Sequence, residues 1–405
     1  MNIIVQKFGG TSVATQERRT LAIEKILNAY DEGNMVVVVV SAMGRKGEPY
    51  ATDSLRSLII ESYPKCSSMH LDLLMSCGET ISSVVLSAHL ESLGYKSVPL
   101  LGFQAGILTN DNFSDARIVS IDHSKLMHYL NNGYIVVVTG FQGITEEGEI
   151  TTLGRGGSDT TATALGAALE AKCVEIYTDV DGIMTADPNI VPKARIIDEI
   201  NYEEIFQMAD KGAKVIHPRA VEIAQYGNIP IKIKNTMSNH PGTIIHSLFR
   251  QYNNVTELRS TLLTAITHKD NIIQVTVQTE GQSKNESKLL SRLAESDISI
   301  DMINFFVDKK VFTIESNRLE KLEKILNQLS LKYTYIDGCS KVTIIGSRIT
   351  GIPGVMATIV NALENNNIQI LQSSDSHLTI SCLVAQEYAK KAVKILHNAF
   401  CLDNT

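Results

Sequence analysis

The run MVVVVV at residues 35–40 constrains the chain more than any other stretch. Six apolar residues, five of them β-branched, fit a strand far better than a helix. A strand with one wet face would alternate polar and apolar residues; an unbroken run must be covered on both faces, which is the condition of a parallel sheet. At eight residues, MVVVVVSA is also far too short to cross a bilayer. Similar runs recur. Ile3–Phe8, Val98–Leu101, Tyr134–Gly140 and Val174–Thr178 read as strands with Met35–Ser41. Between them, helical patterns occupy residues near 17–29, 53–62, 70–93, 122–131 and 158–171. Strand–helix alternation of this kind predicts an α/β fold, a mainly parallel sheet with helices on both faces. Further helices are expected near 201–210 and 218–226, then β-rich pieces at Ile231–Lys234 and Gly242–His246, then a polar linker at Gln251–Glu257.

The last third repeats itself. Ile272–Gln278 followed by LLSRLAESDISIDMI parallels Val342–Arg348 followed by TIVNALENNNIQILQ, with Leu293, Ile298 and Ile300 matching Leu363, Ile368 and Ile370 at a constant offset of 70. Each copy reads strand, helix, strand, strand, helix, so two equal α+β modules are expected at 262–337 and 338–405 after a first domain at 1–250. The second copy stops where a closing strand is needed, and a strand borrowed from elsewhere has to complete it.

With 405 residues the chain is too long for one ordinary core. A formal net charge of −7 and no long basic run argue against a nucleic-acid partner. The six cysteines lack CxxC spacing, which points to reduced thiols rather than a zinc site. The opening MNIIVQKFGG lacks the pattern of a signal peptide, so a cytoplasmic protein without membrane partners is expected.

Ligands of a doubly wound sheet bind outside the carboxyl ends of its strands. KFGGTS (7–12), SAMGRKG (41–47) and TDVDG (178–182) follow strands, and GRGGSD (154–159) precedes a helix. Glycine-rich turns at helix N-termini present backbone amides to anions. With Lys7 and Arg155 attached, two such turns suggest a polyanion held beside a carboxylate or phosphate. Singly, each has a plainer reading: GG is usually only a turn, Lys7 a solvated strand-end lysine, Asp159 a helix cap, and Glu79 a solvated helical acid. Neither GxxxxGK[ST] nor a GxGxxG after the first strand is present.

VQKFGGTSVA, SCGETISS (76–83), LGRGGSDTTA and YTDVDGIMTADP (177–188) together resemble the aspartate kinase family, and the tandem repeat resembles its paired ACT domains. SAMGRKGEPYATDSL is closest to diaminopimelate-sensitive isozymes of spore-forming Gram-positive bacteria. The resemblance implies an amino-acid-kinase-type sheet followed by tandem ACT-like modules. It implies transfer of the ATP γ-phosphoryl group, with Mg²⁺, to the β-carboxylate of L-aspartate, the first step toward lysine, diaminopimelate, threonine and methionine. It gives Lys7 to the phosphates with Phe8, Gly9 and Gly10, and Asp159 to orienting the lysines. Thr52, Glu79, Arg155, Gly156, Gly157 and Ser158 fall to aspartate, Glu79 facing its ammonium group and Arg155 its α-carboxylate. Ser41, Thr178, Asp179, Asp181, Met184, Asp187 and Lys214 fall to ATP. Met184 and Asn189 depart from the tyrosine and arginine common among relatives. No protein ligand for the metal is implied. An effector, meso-diaminopimelate first and lysine second, is expected near Asp301, Gln372 and Ser374, with the helix start after Gly351–Gly354 as a carboxylate site, and a homodimer through the ACT-like modules. Two other readings remain at this point: a kinase for glutamate, acetylglutamate or carbamate on the same sheet, and a regulatory amino-acid-binding protein with a dead kinase half. A fused homoserine dehydrogenase is not expected.

Overall fold

The structure, a computed structural model, describes residues 2–213, 215–247, 263–278, 283–347, 349 and 352–403. The expected linker at Gln251–Glu257, the site residue Lys214 and the glycine at 351 lie outside them. Two compact units divide the chain: Met1–Ile183, Ile196–Ala209 and Lys214–Arg250 in one; Met184–Arg195, Asp210–Ala213 and Gln251–Thr405 in the other.

The first unit carries an eight-stranded sheet. Its strands are β1 (Ile3–Phe8), β2 (Met35–Val40), β3 (Ser97–Leu100), β6 (Ile135–Thr139), β9 (Cys173–Thr178), β10 (Glu199–Asn201), β11 (Ile231–Asn235) and β12 (Thr243–His246). The order is β10-β12-β11-β9-β1-β2-β6-β3. Every neighbouring pair is parallel except β11 with β12. Val36 to Val40 are fully buried, as the unbroken run requires. Because β9, β1 and β2 are adjacent and parallel, the turns after Thr178, Phe8 and Val40 leave one edge side by side. Helices α1 (Gly10–Val13), α2 (Gln16–Asp31), α3 (Thr52–Ser62), α4 (Ser68–Ser92), α5 (Ser124–Asn131), α6 (Gly157–Ala168), α7 (Tyr202–Asp210) and α8 (Pro218–Tyr226) connect the strands. Helix α4 has the length and composition to cross a membrane. It nevertheless buries Asp72, Ser76, Glu79, Ser83 and Ser87, which recur at helical spacing and form an inward polar stripe.

A second sheet of four short strands was not foreseen: β4 (Ile107–Thr109), β5 (Ile118–Ile121), β7 (Gln142–Ile144) and β8 (Ile150–Thr152), in the order β5-β4-β7-β8. Asp72 fastens it to α4. Its carboxylate is fully buried and accepts hydrogen bonds from the amide and hydroxyl of Ser114 (2.8 and 3.0 Å) and of Thr152 (2.7 and 2.9 Å). A buried carboxylate with four donors is satisfied without a counter-charge.

The second unit holds a six-stranded sheet of order β14-β15-β13-β16-β18-β17: β13 (Leu263–Gln278), β14 (Asp301–Phe305), β15 (Lys309–Glu315), β16 (Tyr333–Gly346), β17 (Gln372–Asp375) and β18 (Thr379–Ala385). Helices α9 (Ser283–Glu295), α10 (Leu319–Gln328), α11 (Val355–Glu364) and α12 (Ala389–Ala399) complete the repeat. The closing strand missing from the second copy is the first half of β13. Residues from Leu263 to Lys269 pair with β16, the register breaks between Lys269 and Ile272, and the second half pairs with β15. A cut at 337/338 therefore falls inside β16. The segment Met184–Arg195 belongs to this unit: Ala186, Ile190, Val191 and Ala194 share an apolar core with Val342, Ile359, Ile380 and Leu396.

Candidate active site

A cleft of about 520 Å³ opens at the strand ends of the first unit. Lys7, Ser41, Thr52, Glu79, Arg155, Gly156, Gly157, Ser158 and Asp159 line it, residues up to 152 positions apart in sequence. Lys7 Nζ pairs with Asp159 Oδ1 at 2.7 Å, each side chain 13% exposed. Asp159 stands in the first turn of α6, whose N-terminal dipole favours an anion there. Gly156 begins that helix in the left-handed region, φ +66°, and a Cβ on it would lie 2.2 Å from the Cβ of His217. Only glycine fits such a turn. A Cβ on Gly10 would likewise meet the carbonyl oxygens of Ala42 (2.6 Å) and Gly44 (2.8 Å), so the turn after β1 is packed backbone against backbone.

Glu79 is the most perturbed group in the cleft. It is 2% exposed, accepts one hydrogen bond from the Ala42 amide at 3.1 Å, and leaves Oε2 buried without a partner. Burial pushes its pKa up to about 8, against the opposing pull of the Ala42 amide. A neutral acid with an orphaned oxygen beside a cleft is arranged to receive a cation.

Several expected positions lie elsewhere. Phe8 is fully buried and stacks on Tyr177, centroids 4.7 Å apart, so its ring belongs to the core and only its backbone is left to face a ligand. The Gly9 amide is already directed at Tyr177 O (3.4 Å). The Asp181 carboxylate accepts from Asn235 Nδ2 (2.9 Å) and Ser238 Oγ (2.6 Å), which ties the turn after β9 to the one after β11. Thr178 Oγ1 lies 3.3 Å from Asp179, and Asp179 pairs with Arg45 at 2.7 Å. Met184 packs on the apolar core of the second unit, and Asp187 closes a local turn through the amide and side chain of Asn189. The cleft thus assembles the positions assigned to aspartate together with Lys7, Ser41 and Asp159; it does not include Phe8, Gly9, Gly10, Thr178, Asp179, Asp181, Met184 or Asp187.

The cleft also contains residues that sequence reasoning missed: Asp53, Arg56, Leu71, Met75, Ser114, Phe141, Thr152 and Gly154. Arg56 had an available signal, since it lies one helical turn from Thr52 on α3. Among the described residues, no group of three or more His, Cys, Asp or Glu side chains is placed to hold a metal ion.

In the second unit, a cavity of about 450 Å³ is lined by Asp301, Ser299, Lys341, Lys269, Glu315 and Arg318, among others. Asp301 pairs with Lys341, whose side chain is 5% exposed. Gln372 donates to Met302 O and to Asn304 Oδ1 (2.6 Å) and accepts from Gln274 (2.9 Å), so it joins the outer strands β17 and β14. Ser374 sits on β17 opposite Ser381. Gly354, φ +97°, precedes α11.

Residues 2–235 match the profile of the Amino acid kinase family, and residues 334–398 that of the ACT domain. Aspartokinase 1 of Bacillus subtilis (strain 168) is 45% identical over 403 residues, 99% of each chain. The Aspartokinase of Geobacillus stearothermophilus is 40% identical over 409 residues, 99% of this chain and 98% of that one. Among solved structures, E. coli aspartokinase III in complex with aspartate and ADP superposes with a TM-score of 0.78 at 27% identity, covering 98% of this chain and 99% of that one. The same enzyme with lysine and aspartate gives 0.73 at 27% identity, with the same coverage.

Proposed function

The chain belongs to the amino acid kinase family and within it to the aspartokinases, and from that premise we propose that its cleft transfers the γ-phosphoryl group of ATP to the β-carboxylate of L-aspartate, giving 4-phospho-L-aspartate. One observation carries this reading: Lys7, Asp159, Glu79 and Arg155 line a single cleft. Acetylglutamate and carbamate kinases are less suitable, because Arg155 and Glu79 together address a free α-carboxylate and a free ammonium group; glutamate carries both, and there the ACT match and the 45% identity to an aspartokinase favour aspartate.

Phosphoryl transfer has a loose transition state, so the protein positions reactants and offsets charge. Arg155 would grip the α-carboxylate through its planar fork. Glu79 would give up its proton and hold the α-ammonium group, while Thr52 and Ser158 donate hydrogen bonds to the substrate. The β-carboxylate then faces Lys7, whose ammonium group balances the β- and γ-phosphates. Asp159, an anion, cannot stabilise the phosphoryl charge; it aims Lys7. The Gly9–Gly10 turn, Ser41 and Lys214 are kept as ATP contacts. Mg²⁺ would arrive on the phosphate oxygens, since the described residues offer no carboxylate cage of their own; it would neutralise phosphate charge. In the second unit, an amino-acid effector would bind near Asp301, Gln372 and Ser374 and lower activity, with meso-diaminopimelate preferred over lysine. A homodimer through the ACT modules and a cytoplasmic location complete the proposal.

Aspartate-dependent release of ADP in a coupled assay tests it. Lys7→Ala and Asp159→Ala should each abolish turnover in a folded protein; retention of near-normal kcat would remove them from the mechanism.

A further inference from the structure

The catalytic reading uses Lys7 for the phosphates and gives no role to Arg45. Arg45 stands on the loop after β2, between two glycines in the left-handed region, Gly44 (φ +88°) and Gly47 (φ +98°). Its guanidinium pairs with Asp179 on the loop after β9, at 2.7 Å across 134 residues. In the sheet, β1 lies between β9 and β2. The ion pair therefore joins the two loops that flank the Gly9–Gly10 turn. The loop after β2 and the end of β9 both touch that turn: the Gly44 amide donates to Gly10 O at 3.0 Å, and the Gly9 amide to Tyr177 O at 3.4 Å. Arg45 is one residue from the first contact and Asp179 two residues from the second.

The pair is a poor structural clamp. Arg45 is 69% exposed and Asp179 43% exposed, and an ion pair so wet adds little to stability. A triphosphate at the Gly9–Gly10 turn carries more charge than one carboxylate and offers oxygens in the bidentate geometry that a guanidinium fits. We propose that Arg45 is a further phosphate-binding residue, docked on Asp179 when the turn is empty and transferred to the β- and γ-phosphate oxygens when ATP occupies it. The inference rests on the kinase reading above. It adds a cation from the β2 loop to the Lys7 side of the phosphates.

The test is ATP affinity by calorimetry, with steady-state kinetics, on the full chain. Arg45→Ala should weaken ATP binding by about ten- to a hundredfold, the range expected for one charge-assisted contact. Aspartate KM should stay within about twofold, because Arg155 and Glu79 are untouched. Arg45→Glu should bind ATP more weakly than Arg45→Ala, since a carboxylate repels phosphate. Loss of a mere tether would be matched by Asp179→Ala, which breaks the same ion pair but leaves the guanidinium in place. Should Arg45→Ala bind ATP within about twofold of wild type, or should the Glu and Ala variants be equal, the proposal is overturned. Wild-type aspartate-dependent ADP release, run alongside, separates this failure from failure of the kinase reading.

Discussion

Replacing Glu79 by glutamine should make the protein more stable and a worse enzyme. The glutamine keeps an oxygen for the Ala42 amide and puts an NH₂ where the orphaned Oε2 now lies. In the folded chain Glu79 holds its proton up to about pH 8, whereas an unfolded glutamate releases it near 4.5. Between those values the folded state binds more protons than the unfolded one, so stability falls as pH rises. At 1.36 kcal/mol per unit, the loss accumulated by pH 7 is about 3 kcal/mol. Glutamine does not titrate. Glu79→Gln should therefore melt several degrees higher than wild type at pH 7, with the gap shrinking toward pH 5. Aspartate affinity should move the other way. The substrate ammonium group pairs with the carboxylate form, so wild-type aspartate KM should fall by up to about tenfold as pH rises from 6.5 to 8, and binding should release a proton. The variant should lose this pH dependence, with aspartate KM raised about ten- to a hundredfold and ATP KM little changed. Thermal melts at several pH values and KM profiles are the assays. A variant melting at or below wild type throughout, with an unchanged aspartate KM, would refute the reasoning at both ends.

Arg155→Lys keeps the charge but loses the bidentate fork; aspartate KM should rise about tenfold or more while ATP KM holds, and the reverse would reassign Arg155 to the nucleotide. Asp72→Ala strands the four donors of Ser114 and Thr152, and should lower stability by about 3 kcal/mol or more in denaturant unfolding; a loss under about 1 kcal/mol would show that water replaces the carboxylate. Diaminopimelate and lysine should inhibit the intact protein, and Asp301→Ala or Ser374→Ala should relieve it; no inhibition at saturation would leave the ACT modules a structural role.

What the sequence disclosed followed the strength of its periodic signals. Val36–Val40 admitted one interpretation, and the parallel sheet built around it. The offset of 70 likewise exposed the tandem modules, and even the need for a borrowed strand. The four-stranded sheet stayed hidden because runs such as ILT, QGI and ITT are too short to show a period. Glu79 was obscured for a different reason. A polar stripe at helical spacing normally marks the wet face, but α4 turns Asp72, Ser76, Glu79, Ser83 and Ser87 inward, so the pattern pointed the wrong way. Met184 shows the limit of motif reading: local sequence associated it with ATP, while its side chain packs on a core whose members run from Ala186 to Leu402.

That last feature bears on how such a gene can be divided. The chain changes unit at 183/184, 195/196, 209/210, 213/214 and 250/251. A stop codon at 250 would look like a clean separation of catalysis from control. The resulting fragment would instead carry Ala186, Ile190, Val191 and Ala194, each at most 9% exposed in the whole protein, stripped of Val342, Ile359, Ile380 and Leu396. Such a fragment would present an adhesive patch to every other copy. A tail swapped between relatives would leave the twelve residues Met184–Arg195 facing a foreign core unless they were exchanged with it.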